Sequence, residues 1–437
     1  MYAIRSLFKP AEEIPAEYRA NFRHLVLDIG WFGILNGSSI SFLSVYATRL
    51  GASPFQVGLL GAMPAVMSLI LAIPSGQWLG RRPIGKAVFW TSVLYRFGYL
   101  LWVPLPWLLP EAQQVWALIV LVLLMGIPGT ALAVGFNALF AEAVPPNWRA
   151  YVAGIRNVML SVTFVLTSLV SGWLLDHVTF PMGYQMVFAL GCVGAAMSSY
   201  HLFHVRPALP PGTPRLESRI GDRARPGFIR AFGDSNRPSI GLRLLARASW
   251  RKLLRLDILR SSFSRVMLVL LAFHLAQYLA IPIFPIYVVR ELHLTDQQIG
   301  IGQAVFYATV MLGSMQLARL SRRFSNRAIF GVSAALMGIY PLLLALSHDF
   351  WPYLGISLWG GLIWAMVGGA MPNYLLEKVP EGDRPSHLAW YNIVLNLAVL
   401  AGSLAGPLVA GLAGLSGALL IIAALRILSG LAVLKWG

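Results

Sequence analysis

Runs of about twenty consecutive apolar residues recur from one end of this 437-residue chain to the other, and they decide most of what it can fold into. A hydrocarbon layer of roughly 30 Å is crossed by about 20 apolar residues in a helix. With hydrophobic residues at 57% and charged residues at 12%, a soluble domain would have no surface to show to water. The runs read as helices over 24–47, 55–75, 87–109, 113–142, 150–175 and 184–204, and then over 266–289, 297–319, 328–347, 351–377, 385–412 and 416–435. The expected fold is therefore an all-α membrane protein with twelve transmembrane helices.

One long segment breaks the pattern. Residues 206–265 carry fourteen basic side chains against four acidic ones, and prolines cluster at the start of the segment. It divides the chain into a six-helix half (1–205), a basic linker (206–265) and a second six-helix half (266–437). Within the linker Arg243, Arg247, Arg251 and Arg255 recur every four residues, with Leu242, Leu245, Leu253 and Leu256 on the other side of a helix. That spacing describes an amphipathic helix on a membrane surface, its basic face toward anionic headgroups, or a plain charge anchor. The net charge of +17 raises nucleic acid as a partner, but the basic residues gather in loops, which is a topology signal. Arg81, Arg82, Lys86, Arg149, the linker, Arg322, Arg323, Arg327 and Arg384 all fall in even-numbered loops. The positive-inside rule then puts the linker and both termini in the cytoplasm, in a cytoplasmic (plasma) membrane. The first apolar run is too long for a cleavable signal and is expected to stay as a helix.

The two halves repeat each other. Arg81-Arg82 and Lys86 return as Arg322-Arg323 and Arg327 at an offset of 241 residues; Glu142, Val144, Pro145, Arg149 and Asn157 return as Glu377, Val379, Pro380, Arg384 and Asn392 at an offset of 235. Parallel repeats of this kind are related by an axis along the membrane normal. Twelve spans, a 6+6 repeat, a long middle loop, and basic loops after the second and eighth helices together resemble the major facilitator superfamily. Its loop signature, Gly-x-x-x-Asp-Arg-x-Gly-Arg-Arg, is met here by Gly76-Gln-Trp-Leu-Gly80-Arg81-Arg82-Pro-Ile-Gly85-Lys86, with Gly80 in place of the aspartate. The resemblance implies a secondary transporter working by alternating access, with the first, fourth, seventh and tenth helices lining a central cavity.

Several residues carry chemistry in that setting. Asp28 lies inside the first helix, where a carboxylate is costly and marks function or a buried partner; it shares a face with Phe32, Asn36 and Ser39. On the seventh helix His274, Gln277 and Tyr278 form a facing set, and Asn36 aligns with Gln277 at the 241 offset. Asn137 and Asn373 add amides in the fourth and tenth helices. These residues are the candidate cavity, with Asp28, Glu142 and His274 the candidates for proton coupling. Glu142 with Arg149, and Glu377 with Arg384, together with Arg81, Arg82, Arg322 and Arg323, form a candidate cytoplasmic gate. The alternative for these pairs is an ordinary helix-end salt bridge of about 0–1 kcal/mol. Arg96 and Arg426 are buried charges that need partners, and Asp28 is one conceivable partner of Arg96. Gly402-x3-Gly406-Pro407-x3-Gly411 reads as close helix packing.

The sequence holds no His-Glu-x-x-His, Gly-x-Ser-x-Gly or Walker loop, and its single cysteine, Cys192, leaves no pair for a disulfide. No cofactor, metal or direct ATP drive is expected, and no enzymatic activity. Aromatic residues such as Trp31, Phe32, Tyr278, Trp359 and Trp364 in the cavity helices favour a small organic solute. The expected function is proton-coupled transport of that solute by a monomer in the lipid bilayer. Export is preferred to uptake on the resemblance alone. A non-transporting assembly factor or sensor of the same fold is the alternative.

Overall fold

A computed structural model describes residues 14–206, 256–380 and 383–437 of the chain. The arginine run 243–255 falls outside the described residues, as does the side chain of Arg384. Among the described residues every regular element is a helix. The first half contributes α1 (Ala16–Arg49), α2 (Pro54–Gly80), α3 (Ile84–Leu100), α4 (Glu111–Ala143), α5 (Pro146–His177) and α6 (Met182–Phe203). The second contributes α7 (Phe263–Arg290), α8 (Asp296–Leu320), α9 (Asn326–Ala345) and α10 (Phe350–Lys378). A last run, Arg384–Trp436, is interrupted only at Gly414, whose φ of 72° no residue with a Cβ adopts easily. Its part before Gly414 is α11 and its part after is α12. Nine described helices are long and apolar enough to cross a membrane, the last of them spanning α11 and α12; the shorter α3 and the more polar α8 complete twelve.

Three departures from the expected helices have local causes. α1 begins at Ala16 rather than at residue 24. Its polar first turns are held by Asn21, whose Nδ2 donates to the Arg206 carbonyl at 2.8 Å while its Oδ1 accepts from the Arg206 amide at 3.0 Å. α7 and α9 are each broken. α7 is helical over Phe263–Ala280 and Ile283–Arg290, with Pro282 in the gap. α9 is helical over Asn326–Leu336 and Ile339–Ala345, and Pro341 has no N–H to offer the Met337 carbonyl. α1 also contains one π-helical segment, Asn36–Ile40, a local widening common at functional sites.

The halves meet along two crossings that the internal repeat relates to each other. In α2, a Cβ on Gly58 would run into the Ser403 carbonyl oxygen of α11; in α8, a Cβ on Gly300 would lie 2.7 Å from the Ser168 carbonyl oxygen of α5. Ser168 and Ser403 stand at the 235-residue offset. Equivalent capping boxes precede the two glycines, Ser53 with Gln56 at the start of α2 and Thr295 with Gln298 at the start of α8. These crossings lie toward the end of the bundle away from Arg206 and Leu256, termed here the far end; the other is the linker end.

At such contacts added methyl groups cost about 1–3 kcal/mol. Gly300→Val is expected to lower the melting temperature of the detergent-solubilised protein by several degrees. Gly355→Val in α10, where an added Cβ meets nothing within 4 Å, should change it little.

Candidate functional site

Two polar constellations stand out, one inside the first half and one between the halves. The first is built on Asp28. It faces α3, α5 and α6, where its Oδ1 lies 3.5 Å from Arg96 Nη2 and its Oδ2 lies 3.2 Å from Arg156 Nη1. Arg156 Nη2 also donates to Oδ2 at 3.2 Å, and the Ser198 hydroxyl donates to Oδ1. Arg156 Nη1 bonds the Leu25 carbonyl, and its guanidinium lies over the Phe136 ring of α4 at 4.8 Å. Arg96 Nη1 donates to Ser199 at 2.9 Å, and Ser199 is bonded to Ser92 at 2.8 Å. All three charged side chains are buried. Charges removed from water at this depth are tolerable only when paired and hydrogen-bonded, and this cluster supplies both. The cluster answers where Arg96 finds its partner. Arg156 was missed in the sequence, although the cost of an arginine inside an apolar span was readable there; that it faces Asp28 was not.

The second constellation joins the halves at the far end. Arg49, at the end of α1, donates through Nη2 and Nε to Asp296 Oδ1 at 3.0 and 3.2 Å, and through Nη2 to the Leu294 carbonyl at 2.7 Å. Tyr184 of α6 donates to the other oxygen, Asp296 Oδ2, at 2.8 Å. Arg290, at the end of α7, reaches back to the Ala52 carbonyl at 2.6 Å. Both carboxylate oxygens are thus used, by groups from α1 and α6 of the first half, on the first turn of a second-half helix. Arg49 and Arg290 end their helices with no sequence signal of a partner; the lock becomes visible once the helix ends are brought together.

At the linker end the candidate gate residues Arg149 and Glu377 each hold a partner within their own half. Arg149 Nε and Nη2 donate to the Val144 and Ala141 carbonyls, closing the end of their own α4–α5 turn. Glu377 accepts from Asn326 Nδ2 at 2.6 Å. Arg81, Arg82, Arg322 and Arg323 are exposed, Arg82 over the Trp78 ring at 4.8 Å.

The candidate cavity residues divide. Phe32 and Asn36 are buried in α1, Asn36 opening the π-helical segment and accepting from Ser41 through its carbonyl. Asn137 is half-buried and donates to the Ala133 carbonyl of its own helix; Asn373 is half-buried in α10. His274 is buried, its Nε2 3.3 Å from the Tyr391 hydroxyl. Tyr391 stands at the 235-residue offset from Arg156, so an α1–α5 polar contact in one half is matched by an α7–α11 contact in the other. Gln277 is buried with its Nε2 unbonded among the described residues, and no hydrogen bond joins it to Asn36. Tyr278 lies close against α11, a Cβ on Gly402 falling 2.8 Å from its Cβ, and Gly406 packs against Leu279.

Arg426 of α12 is fully buried and is held by main-chain oxygens. It donates to Ala276 at 3.3 Å and Gln277 at 3.2 Å, just before the α7 break, and to Met337 at 3.4 Å, in the α9 break; the Phe284 ring lies 5.4 Å from its guanidinium. Helix breaks free carbonyls of this kind, and Arg426 serves two of the breaks at once.

Hydrogen bonds to charged groups contribute about 1.5–3 kcal/mol each, and a tenfold population shift needs only about 1.4 kcal/mol. Asp296→Asn is therefore expected to raise the occupancy of forms open at the far end by roughly tenfold or more. The check is labelling of Ser168→Cys by an impermeant thiol reagent, with Cys192 first replaced; unchanged labelling would reduce the lock to a static contact.

Comparison with known proteins follows the same lines. A family model described as Major Facilitator Superfamily matches residues 29–273 and 266–437. Sodium-dependent phosphate transport protein 1 of Rattus norvegicus is 24% identical over 300 residues, 65% of this chain and 58% of that protein. The chain thus spans less than two thirds of that relative's length. Among solved structures, the nucleoside transporter NupG superposes with a TM-score of 0.64 at 12% identity, covering 96% of this chain and 99% of its own. The human organic anion transporter MFSD10 (TETRAN) does so with a TM-score of 0.62 at 16% identity, covering 96% and 100%. At such identities the likeness is one of fold.

Proposed function

The chain belongs to the major facilitator superfamily, and on that footing we propose that it carries a small organic solute across the cytoplasmic membrane by alternating access, coupled to protons. It is a multi-pass membrane protein of a transporter family and not an enzyme. The observation that carries the mechanism is the far-end lock, Arg49–Asp296 with Tyr184, set beside two repeat-related crossings. An ion pair between two halves that pack through bare backbone is a contact that rocking would break and remake. In the opposite facing state the linker end closes, using Glu142 and Glu377 with Arg149, Arg384 and the exposed arginines 81, 82, 322 and 323. The linker and both termini lie in the cytoplasm, and the direction is export.

The names of the similar proteins speak of phosphate, a nucleoside and organic anions, so they agree on small solutes and on no single one. Within the spans Arg96, Arg156 and Arg426 outnumber Asp28, which favours a solute with an anionic group over a cation. Asp28 is the proposed coupling residue, because a proton there would loosen its hold on two arginines of two other helices. His274 is the second candidate.

Two expected outcomes test this reading. With a solute found by thermal-shift screening, Asp28→Asn in proteoliposomes should lose pH-driven accumulation by roughly tenfold or more while keeping solute exchange. Accumulation equal to the parent protein would make Asp28 purely a structural partner of Arg96 and Arg156. For the gate, the double substitution Glu142→Gln and Glu377→Gln should increase labelling of cavity cysteines from the linker side; no increase leaves these carboxylates as helix-end contacts.

A further inference from the structure

Three histidines gather at the linker end of the seam between α1 and α6. His24 Nδ1 lies 3.0 Å from His201 Nδ1, and the His24 ring stacks on His204 with centroids 4.9 Å apart and planes 14° from parallel. Tyr200 closes the group, its ring 4.6 Å from that of His204. Exposure falls along the group: His204 and His24 are half-exposed, and His201 is buried. The group also points at Asp28. His24 is four residues before Asp28 on α1, and His201 is three residues after Ser198, the residue of α6 that bonds Asp28. One helical turn separates residues so spaced, about 5–6 Å between Cβ atoms. The charged groups facing the histidines are Arg23 and Asp28 on α1 and one another on α6; Arg96 from α3 and Arg156 from α5 meet Asp28 from its other sides.

Resting on the proton-coupled reading, we propose that His204, His24 and His201 form a proton path between water at the linker end and Asp28, running inside the first half and apart from the cavity between the halves. Imidazole is the side chain that gains and loses a proton between about pH 5 and pH 8. Two rings facing each other through Nδ1 share one proton, donated by one and accepted by the other. Take His24 as the donor. A proton from water binds its free Nε2, the shared proton crosses to His201, and His201 releases its own Nε2 proton toward the Asp28 carboxylate. One proton enters, one leaves, and only N–H and O–H bonds change; both rings end in the opposite tautomer, which a ring flip or the reverse transfer resets.

The test needs no solute. Proteoliposomes of the full chain adsorbed on a sensor electrode are stepped from about pH 8 to about pH 5, and the transient charge movement is recorded. The parent protein is expected to give a transient that Asp28→Asn abolishes. His24→Gln and His201→Gln, which keep hydrogen-bonding capacity, should slow it by roughly tenfold or more, and His204→Phe, which keeps the stacking, by less. His348→Gln, in the exposed turn before α10, should leave it unchanged. Melting temperatures establish that each variant is folded, and His24→Gln and His201→Gln stand as independent arms. A parent transient abolished by Asp28→Asn but unaltered in both histidine variants overturns the path and leaves proton coupling intact. A parent protein without any transient overturns proton coupling, and the path with it.

Discussion

The structure depends on two places where a helix of one half lies against bare backbone of the other. Gly58 on the Ser403 carbonyl and Gly300 on the Ser168 carbonyl bring α2 to α11 and α8 to α5 more closely than any side chain would permit. In a hydrocarbon layer apolar surface is already at home, so close packing and polar contacts must supply what the hydrophobic effect supplies in water. Both crossings sit toward the far end, near the Arg49–Asp296 lock. Packing and ion pair therefore act on the same end of the bundle, and opening that end has to overcome both.

Much of this architecture is legible in the sequence because it is one-dimensional. Span length, loop charge and the 235- and 241-residue offsets need no knowledge of which helix touches which. The offsets even anticipate the crossings, since Ser168 and Ser403 obey the second of them. Partners are another matter. Helical spacing gives the face of α1 that carries Asp28, but not whether that face looks toward a cavity or into its own half; the structure turns it to Arg96, Arg156 and Ser198. The lock was hidden for the same reason. Arg49 and Asp296 are 247 residues apart and sit at helix ends, where periodicity carries no signal. The breaks in α7 and α9 were readable in principle from Pro282 and Pro341. The apolar run continues through both, however, and hydropathy alone cannot see a missing N–H.

The two halves share a plan but distribute polar groups differently. In the first, α1 is clasped on one side by α5, where Gly30, Gly33 and Gly37 admit Met159, Thr163 and Phe164, and on the other by α6, where Gly191 and Gly194 admit the α1 backbone and its serines. Asp28 then stitches α1 to α3 and α5 through ion pairs and to α6 through the Ser198 hydroxyl. In the second half, α7 has no such carboxylate. Its polar contacts within the half include the His274–Tyr391 hydrogen bond, the Tyr287 hydroxyl on the Ala345 carbonyl, and the main-chain oxygens gathered by Arg426.

That difference bears on where rocking motion is absorbed. A continuous helix resists bending because each turn would lose backbone hydrogen bonds, each about 0.5–1.5 kcal/mol net in water and more in hydrocarbon. α7 and α9 have already given up such bonds at their breaks, and Arg426 replaces them with donors on a long side chain that can follow a small displacement. α1, clasped by glycine contacts and fixed by two ion pairs, has no comparable slack. The breaks at Pro282 and Met337 therefore give α7 and α9 places to bend, close to Arg426, that the clasped α1 lacks. Among the described residues Arg426 donates there to main-chain oxygens alone, and a long side chain bonded to carbonyls follows a displacement that a tight ion pair would resist.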